Sequence, residues 1–513
     1  MNKQTPAISI ESIACQKLLR FLDGIVLAPA LSSLSRHGWL EGRDADGPYD
    51  TGEFAAETGA NLGYLRIVLK ALANQGWITA CGPESDPLAA WSMTQRGRRC
   101  AEEAAMYGAM AAWVPLLAQL AADAGAERDH REELGELRRE SLRWHRQMLS
   151  AGLEDLAEYA VGIPAAIGFG LLGWWRGGME SELGEWECFA EELGWFNGVE
   201  ATMVGREIAL RADLFDYVLG YAPLLAGTET LLFGDAKSFP RQSVGGQERH
   251  VIRRLDIEFS GKVFAQSCRG PFFDMLLPVF DTEDLSRQPR VLVDVGCGNG
   301  LMLAQSYWAI CHQTRRGRHL GEFPLDVVGV EYQEVSMEGA AETLKQLQVP
   351  GRIVWGDISH PEHIGSVVDF AEALVVCKST VHNRRFLGAS ARSWDVRSES
   401  AIVDSDGRPV SGAELFSDLC GHFACWRRVL GRHGMIVIEP HATSIGEAVR
   451  NVGRSIATAL EITHGYSQQL LAEPGMHLAA IAAAGWNAEP VLLTGARHFG
   501  HDYMSFARLT QGA

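Results

Sequence analysis

The chain has 513 residues, 47% of them hydrophobic and 21% charged, with a formal net charge of −18. That length allows more than one domain and a substantial core, and the composition excludes disordered and low-complexity classes. The acidic balance disfavours nucleic acid as the main partner, because a phosphate backbone needs local positive charge. Ten cysteines without a CxxC pair suggest neither a zinc site nor a disulfide framework, so no metal is expected and reduced cytoplasmic thiols are. The opening residues carry no charged-then-apolar signal segment. The stretch 104–122 is alanine-rich and interrupted by glycine and proline, which suits buried helices better than a membrane span.

Residues 11–100 form the first unit. An apolar helix around Phe21–Leu31 leads to a second helix capped by Asp50 or Thr51. A third helix over 65–75 places Val68, Leu69 and Leu72 on one face, and strands near 77–81 and 90–94 follow, joined by a Gly/Pro turn. Helix, turn, helix and β-wing make a winged-helix-like pattern. In so acidic a chain this favours a dimerisation or lid module over DNA binding, and a homodimer is one form it allows. Residues 101–288 are mostly helical. Mixed charge over 127–147 marks a solvated helix face, and the tryptophans and glycines over 169–195 read as core before substrate channel. Arg253 and Arg254 read as a solvated face before a contact to a cofactor carboxylate.

Residues 289–510 carry the chemistry. Val291-Leu-Val-Asp-Val-Gly-Cys-Gly-Asn-Gly300 is a buried strand, a glycine turn and the start of a helix, with Asp294 closing the strand and Gly296, Gly298 and Gly300 letting backbone approach a ligand. The third glycine comes two residues after the second, which departs from the dinucleotide spacing. A second strand ends in Glu331, suited to accept from both ribose hydroxyls. A third runs into Asp357 and Ile358, for an adenine amino group and ring. A fourth ends at Cys377, where a sulfonium group would sit. This ordered series resembles class I S-adenosylmethionine methyltransferases. The resemblance implies a Rossmann-like α/β sheet, here with the winged-helix-like unit and a helical lid, and S-adenosyl-L-methionine as cofactor. After the fourth and fifth strands the connections lengthen, so these insertions are expected to shape the substrate pocket. A final helix and two closing strands, near 490–493 and 503–507, complete the sheet.

A methyl acceptor must be aligned and, for most substrates, deprotonated, which a positioned base accelerates by roughly 10²–10⁴-fold. His382 follows the fourth strand. Glu439 and His441 close the fifth and are expected together at the pocket rim. His464 and Tyr466 lie in the second insertion, the tyrosine as a donor to a developing oxyanion. Val376-Cys-Lys-Ser-Thr-Val-His-Asn-Arg, Val403-Asp-Ser-Asp-Gly-Arg-Pro-Val, Arg432-His-Gly-Met-Ile-Val-Ile-Glu-Pro-His and Thr463-His-Gly-Tyr-Ser-Gln-Gln are similar to the second, carbon-methylating domain of apratoxin-type polyketide loading modules. That resemblance implies an acyl or polyketide unit, small or carrier-tethered, methylated beside a carbonyl, with a histidine taking the α-proton and hydrogen bonds holding the enolate. No carrier or synthase module is read beside it, so a stand-alone enzyme of secondary metabolism is expected. The rival readings are O- or N-methylation of a small molecule, a DNA-binding regulator that senses the cofactor, and a degenerate scaffold.

Overall fold

The computed structural model of the protein describes residues 10–39, 47–123, 129–173, 184–198, 200–238, 251–378, 384–389, 394–493 and 504–511. A seven-stranded sheet organises the C-terminal half. Its strands are β1 (Val291–Val295), β2 (Asp326–Glu331), β3 (Gly351–Trp355), β4 (Ala373–Lys378), β5 (Met435–Pro440), β6 (Trp486–Leu493) and β7 (Met504–Gln511), in the order β6-β7-β5-β4-β1-β2-β3. β1 to β5 run parallel, while β7 is antiparallel to both neighbours. Helices cover both faces, so the strands read as continuous apolar runs. The side chains still alternate. Leu292, Val376 and Ile438 enter one core with the N-terminal helices, whereas Val293, Cys377 and Val437 enter a second core under the C-terminal helices. The chain order reverses between β1 and β4. Ligands of open α/β sheets bind beyond the carboxyl ends of the strands at such a switch point.

The N-terminal half is helical and shares the first of these cores. Helix α1 (Ile10–Arg36) is its centre, and its apolar residues from Ala14 to Leu34 are buried. The stretch Ser12–Arg36 is long and apolar enough to cross a membrane, but its most apolar 18-residue segment is 89% buried inside the protein, as a core helix would be. The other such stretch, Ala104–Ala122, breaks into two helices at Ala112 and Trp113 and is 39% buried. Helix α2 (Thr51–Thr58) is capped by Asp50, whose carboxylate accepts from Glu53 N at 2.9 Å, an interaction of about 1 kcal/mol. Helix α3 (Leu62–Asn74) starts at Asn61, which accepts from Gly63 N and Tyr64 N. A small sheet pairs Ala90–Met93 with Ile78–Ala80 and Tyr49–Asp50.

In a DNA-reading arrangement α3 would be the helix presented to a groove. Here eleven of its thirteen residues are buried. It packs on the helix Ala457–Tyr466, where a Cβ on Gly465 would lie 2.7 Å from Ile67, and Lys70 Nζ donates to Thr443 O at 2.8 Å. The unit therefore packs as a wall against the sheet-bearing half, with most of α3 buried.

Candidate active site

Four more helices position the site: α4 (Arg253–Val263), α5 (Leu301–Gln313), α6 (Gly412–Val429) and α7 (Ala457–Tyr466). Between α4, α7 and the carboxyl ends of β1 to β5 lies a cavity of about 430 Å³. Its donor-side wall follows from the glycine turn. Gly296 N and Cys297 N both donate to Val330 O, folding the loop back over β2. Gly296, Gly298 and Gly300 all have positive φ, and a Cβ on Gly300 would press on the Ala340 backbone at 3.2 Å. Any side chain there would be strained and would prise α5 away.

Glu331 ties this loop together. Its Oε2 accepts from Gly298 N at 2.9 Å and its Oε1 from Tyr332 N and Gln333 N at 2.8 and 3.1 Å. Asp357 Oδ1 accepts from Ser359 N at 2.8 Å in a tight turn, and Asp357 and Ile358 both line the cavity. Asp294 also lines it, yet is fully buried, and neither carboxylate oxygen has a hydrogen-bond partner. Burial, and then the charge of Glu331, push its pKa up to about 8, which favours the protonated acid at neutral pH. An orphaned carboxyl beside a glycine cradle is complementary to a compact cation with several N–H donors. The α-ammonium end of S-adenosylmethionine is such a group, so the residues present fit it.

Arg253 is a wall residue, contrary to its reading as a solvated face. It donates to Asp256 Oδ2 at 2.7 Å, and the Gln333 amide oxygen, turned toward it, accepts from Nη2 and Nε at 3.2 and 3.1 Å. Arg254 does point outward, pairing with Glu258.

The chain matches the family described as AprA MT2-like domain over residues 248–509, and the one described as AprA N-terminal domain over 15–80. The first match spans just over half of the chain. The protein belongs to the AprA MT2-like methyltransferase family. It is accordingly an enzyme that uses S-adenosyl-L-methionine. A comparison with curated proteins gives no match. Among solved structures, it is similar to an O-methyltransferase family 2 protein from Planctomyces limnophilus, in complex with apigenin, at 11% identity over 99% of this chain and 98% of that one (TM-score 0.42). It is similar to the CurJ carbon methyltransferase at 10% identity over 98% and 92% (TM-score 0.38). Neither likeness bears on which atom this family member methylates.

The acceptor-side wall departs from several expectations. His382 lies outside the described residues. Cys377 does not line the cavity: it is buried in the second core, and its thiol donates to Val295 O at 3.0 Å. Glu439 and His441 are not at the rim either. His441 is fully buried, its Nδ1 3.1 Å from Ala472 O and its Nε2 2.6 Å from Ser505 Oγ, with its ring edge-on to His477. Because the carbonyl can only accept, Nδ1 donates and Nε2 accepts from the serine, so both nitrogens are used in holding the fold. The reason is strand alternation. Cys377 joins the second core and His441 meets His477 of a C-terminal helix, whereas Asp294, Lys378 and Pro440 line the cavity. Tyr466 is also set apart: buried, and edge-on to Tyr64 at 6.0 Å.

His464 does line the cavity. Its Nδ1 is 3.0 Å from Leu460 O and 3.0 Å from the Tyr217 hydroxyl, which also bonds Thr463 Oγ1. Donation to the Leu460 carbonyl places the ring proton on Nδ1 and the lone pair on Nε2. Two residues that the sequence did not single out complete this wall, Tyr217 and Tyr221, one helical turn apart, with rings 5.5 Å from each other. The Tyr221 hydroxyl donates to Gln469 Oε1 at 3.0 Å, and Ser467 Oγ donates to the same oxygen at 2.7 Å. Phe259, Val263, Phe264, Ile456 and Leu460 supply the apolar remainder. Their i,i+4 pairing was the available signal for the two tyrosines, inside a region otherwise indistinct from core.

Proposed function

We propose that this methyltransferase alkylates the α-carbon of an acyl or polyketide-like substrate, with His464 as the base. The observation that carries the reading is the His464 ring, held at Nδ1 by a backbone carbonyl inside an apolar, tyrosine-rimmed cavity that is continuous with the glycine cradle. S-adenosylmethionine, when bound, supplies an electrophilic methyl group whose bond to sulfur breaks, both electrons staying on sulfur, as the bond to the acceptor forms.

Asp294 would hold the ammonium of the donor and lose its own proton in doing so. Glu331 would accept from the ribose hydroxyls while keeping its bond to Gly298 N, since each carboxylate oxygen takes more than one donor. Asp357 would accept from the adenine amino group, with Ile358 against the ring, and Arg253 would face the donor carboxylate. On the acceptor side, His464 Nε2 would take the α-proton. The Phe259, Val263 and Phe264 side chains exclude water from the resulting carbanion equivalent. A hydroxyl acceptor would use the same base, so the product decides between carbon and oxygen. Ten free thiols suit the cytoplasmic setting we assign to the enzyme.

The test is incubation of the protein with S-adenosylmethionine and a β-ketoacyl chain on a pantetheine thioester or a carrier protein, followed by fragmentation of the product. A methyl group on the α-carbon supports the reading. A methyl group on oxygen, or no methylation by protein that binds the donor, would overturn it.

A further inference from the structure

Lys378 is one of three described cations lining the cavity, with Arg384 and Arg385, that the scheme above leaves without a task, and Arg384 is already paired with Asp418. Lys378 is the last residue of β4, and its partly buried side chain opens into the cavity. Nζ donates to Ser260 O at 3.0 Å and to Ser260 Oγ, so a single residue of α4 takes two of its three N–H groups. No described carboxylate forms a salt bridge with it; burial lowers its pKa from the usual lysine value, and the nearby Asp256 and Glu439 act against that shift.

Its place along the edge of the sheet narrows its role. The donor-side groups occupy successive strand ends: Asp357 and Ile358 after β3, Glu331 on β2, Asp294 and the glycine turn on β1. The next strand is β4, where Val376 pairs with Asp294 in the parallel register and Lys378 lies one pleat further on, opposite Ile438 of β5. The adjacent strand β5 brings Pro440 to the cavity, which Leu460 and His464 also line. With strands about 4.8 Å apart, β3 to β1 spans roughly 10 Å and accounts for the donor. Lys378 therefore stands at the junction of donor and acceptor, on the acceptor side of Asp294.

From this placement we infer that Lys378 is a catalytic residue whose ammonium group holds the carbonyl oxygen of the acceptor and stabilises the enolate. The inference rests on the carbon-methylation reading. As His464 Nε2 takes the α-proton, the C–H electron pair forms the C=C bond of the enolate and the carbonyl π pair moves onto oxygen, where the remaining N–H of Lys378 meets it. The α-carbon then forms its new bond to the methyl group and the carbonyl re-forms. An ammonium next to a sulfonium is repulsive in the ground state. The developing oxyanion offsets that repulsion only once the proton has moved, so the interaction is stronger in the transition state than before it. This is the donor task that Tyr466, buried against Tyr64, does not fill.

Lys378→Met keeps the length of the side chain and removes its charge. With the β-ketoacyl pantetheine thioester as acceptor, kcat for carbon methylation is expected to fall about 10²–10³-fold, while calorimetric Kd for S-adenosylmethionine stays within roughly threefold of wild type. Ser260→Ala leaves the ammonium and removes one anchor, and is expected to lower kcat by about tenfold with the same donor Kd. It also serves if the methionine variant fails to fold. A Lys378→Met enzyme with wild-type kcat would overturn the assignment. So would a loss of donor affinity as large as the loss of turnover, which would give Lys378 to the donor carboxylate. Absence of carbon methylation by wild type would overturn the underlying reading, whereas wild-type carbon methylation untouched by both variants would remove Lys378 alone.

Discussion

The two halves of the cavity are built in different ways. The donor half is largely backbone: a glycine turn, two short strand ends and three carboxylates, all within residues 294–357 and fixed by the register of β1, β2 and β3. The proposed acceptor half is made of side chains from separate elements, with Tyr217 on one helix and Tyr221 just after it, Phe259 and Ser260 on another helix and His464 on a third. A backbone-built site tolerates little change and binds one ligand class. A site of side chains on surrounding helices can be reshaped without disturbing the cofactor. Substitutions should therefore separate into those that cost turnover and those that cost donor affinity.

The sharpest separation is expected at His464. His464→Gln should lower kcat by roughly 10²–10⁴-fold, the contribution of a positioned base, and leave the donor Kd unchanged by calorimetry. Comparable losses in both would break the division into halves. Asp294→Asn should do the reverse, weakening donor binding by about 10–150-fold through one lost charged hydrogen bond of roughly 1.5–3 kcal/mol, with the acceptor KM little changed.

Asp294 also predicts a pH signature. Its carboxyl is held near 8 in the free protein, against 3.8 for an ordinary aspartate, by burial and by Glu331. A group raised in the folded state stabilises the fold below its unfolded value and loses that contribution as pH rises toward the folded one. Stability should thus decline between about pH 4 and 8, with buried Asp23 and Glu461, each raised to about 7, adding to the slope. Asp294→Asn should flatten the decline in Tm above neutrality. Donor binding at pH 7 should release close to one proton, read from calorimetry in buffers of different ionisation heat; no release would mean that Asp294 does not ionise on binding. His441→Gln should lower Tm, since two buried hydrogen bonds go, while kcat stays within about threefold. The smallest effects belong to Cys377→Ala and Tyr466→Phe, which leave both walls of the cavity intact. A large loss of turnover in either would return those residues to the site.

The convergence of Asp294, Gly296, Gly298, Glu331, Asp357 and Ile358 on one cavity was legible in the sequence, because the glycine motif is contiguous and follows from backbone geometry. The strands were legible along the chain as short apolar runs, whereas their order within the sheet was not read from the sequence. Cys377, Glu439 and His441 were misassigned through one physical cause. A strand end announces that a residue is near the ligand, but only the parity of its alternation decides which face it joins, and runs buried on both faces carry no polar mark of parity. Lys378, adjacent to Cys377, had the opposite parity and reached the cavity. Tyr217 and Tyr221 stayed hidden because their segment, buried on nearly all sides, reads as core. The burial of α3 was equally invisible, since it depends on contacts with residues some four hundred positions away.

The most direct test of the central claim is the pH dependence of carbon methylation by wild type and His464→Gln, with donor occupancy checked at each pH. The account predicts a wild-type rate that falls on the acid side as the base is protonated, and a variant that binds the donor normally but turns over at least about a hundredfold slower, with that acid limb gone. A variant that keeps the wild-type rate and acid limb would contradict the account and assign the base to another residue.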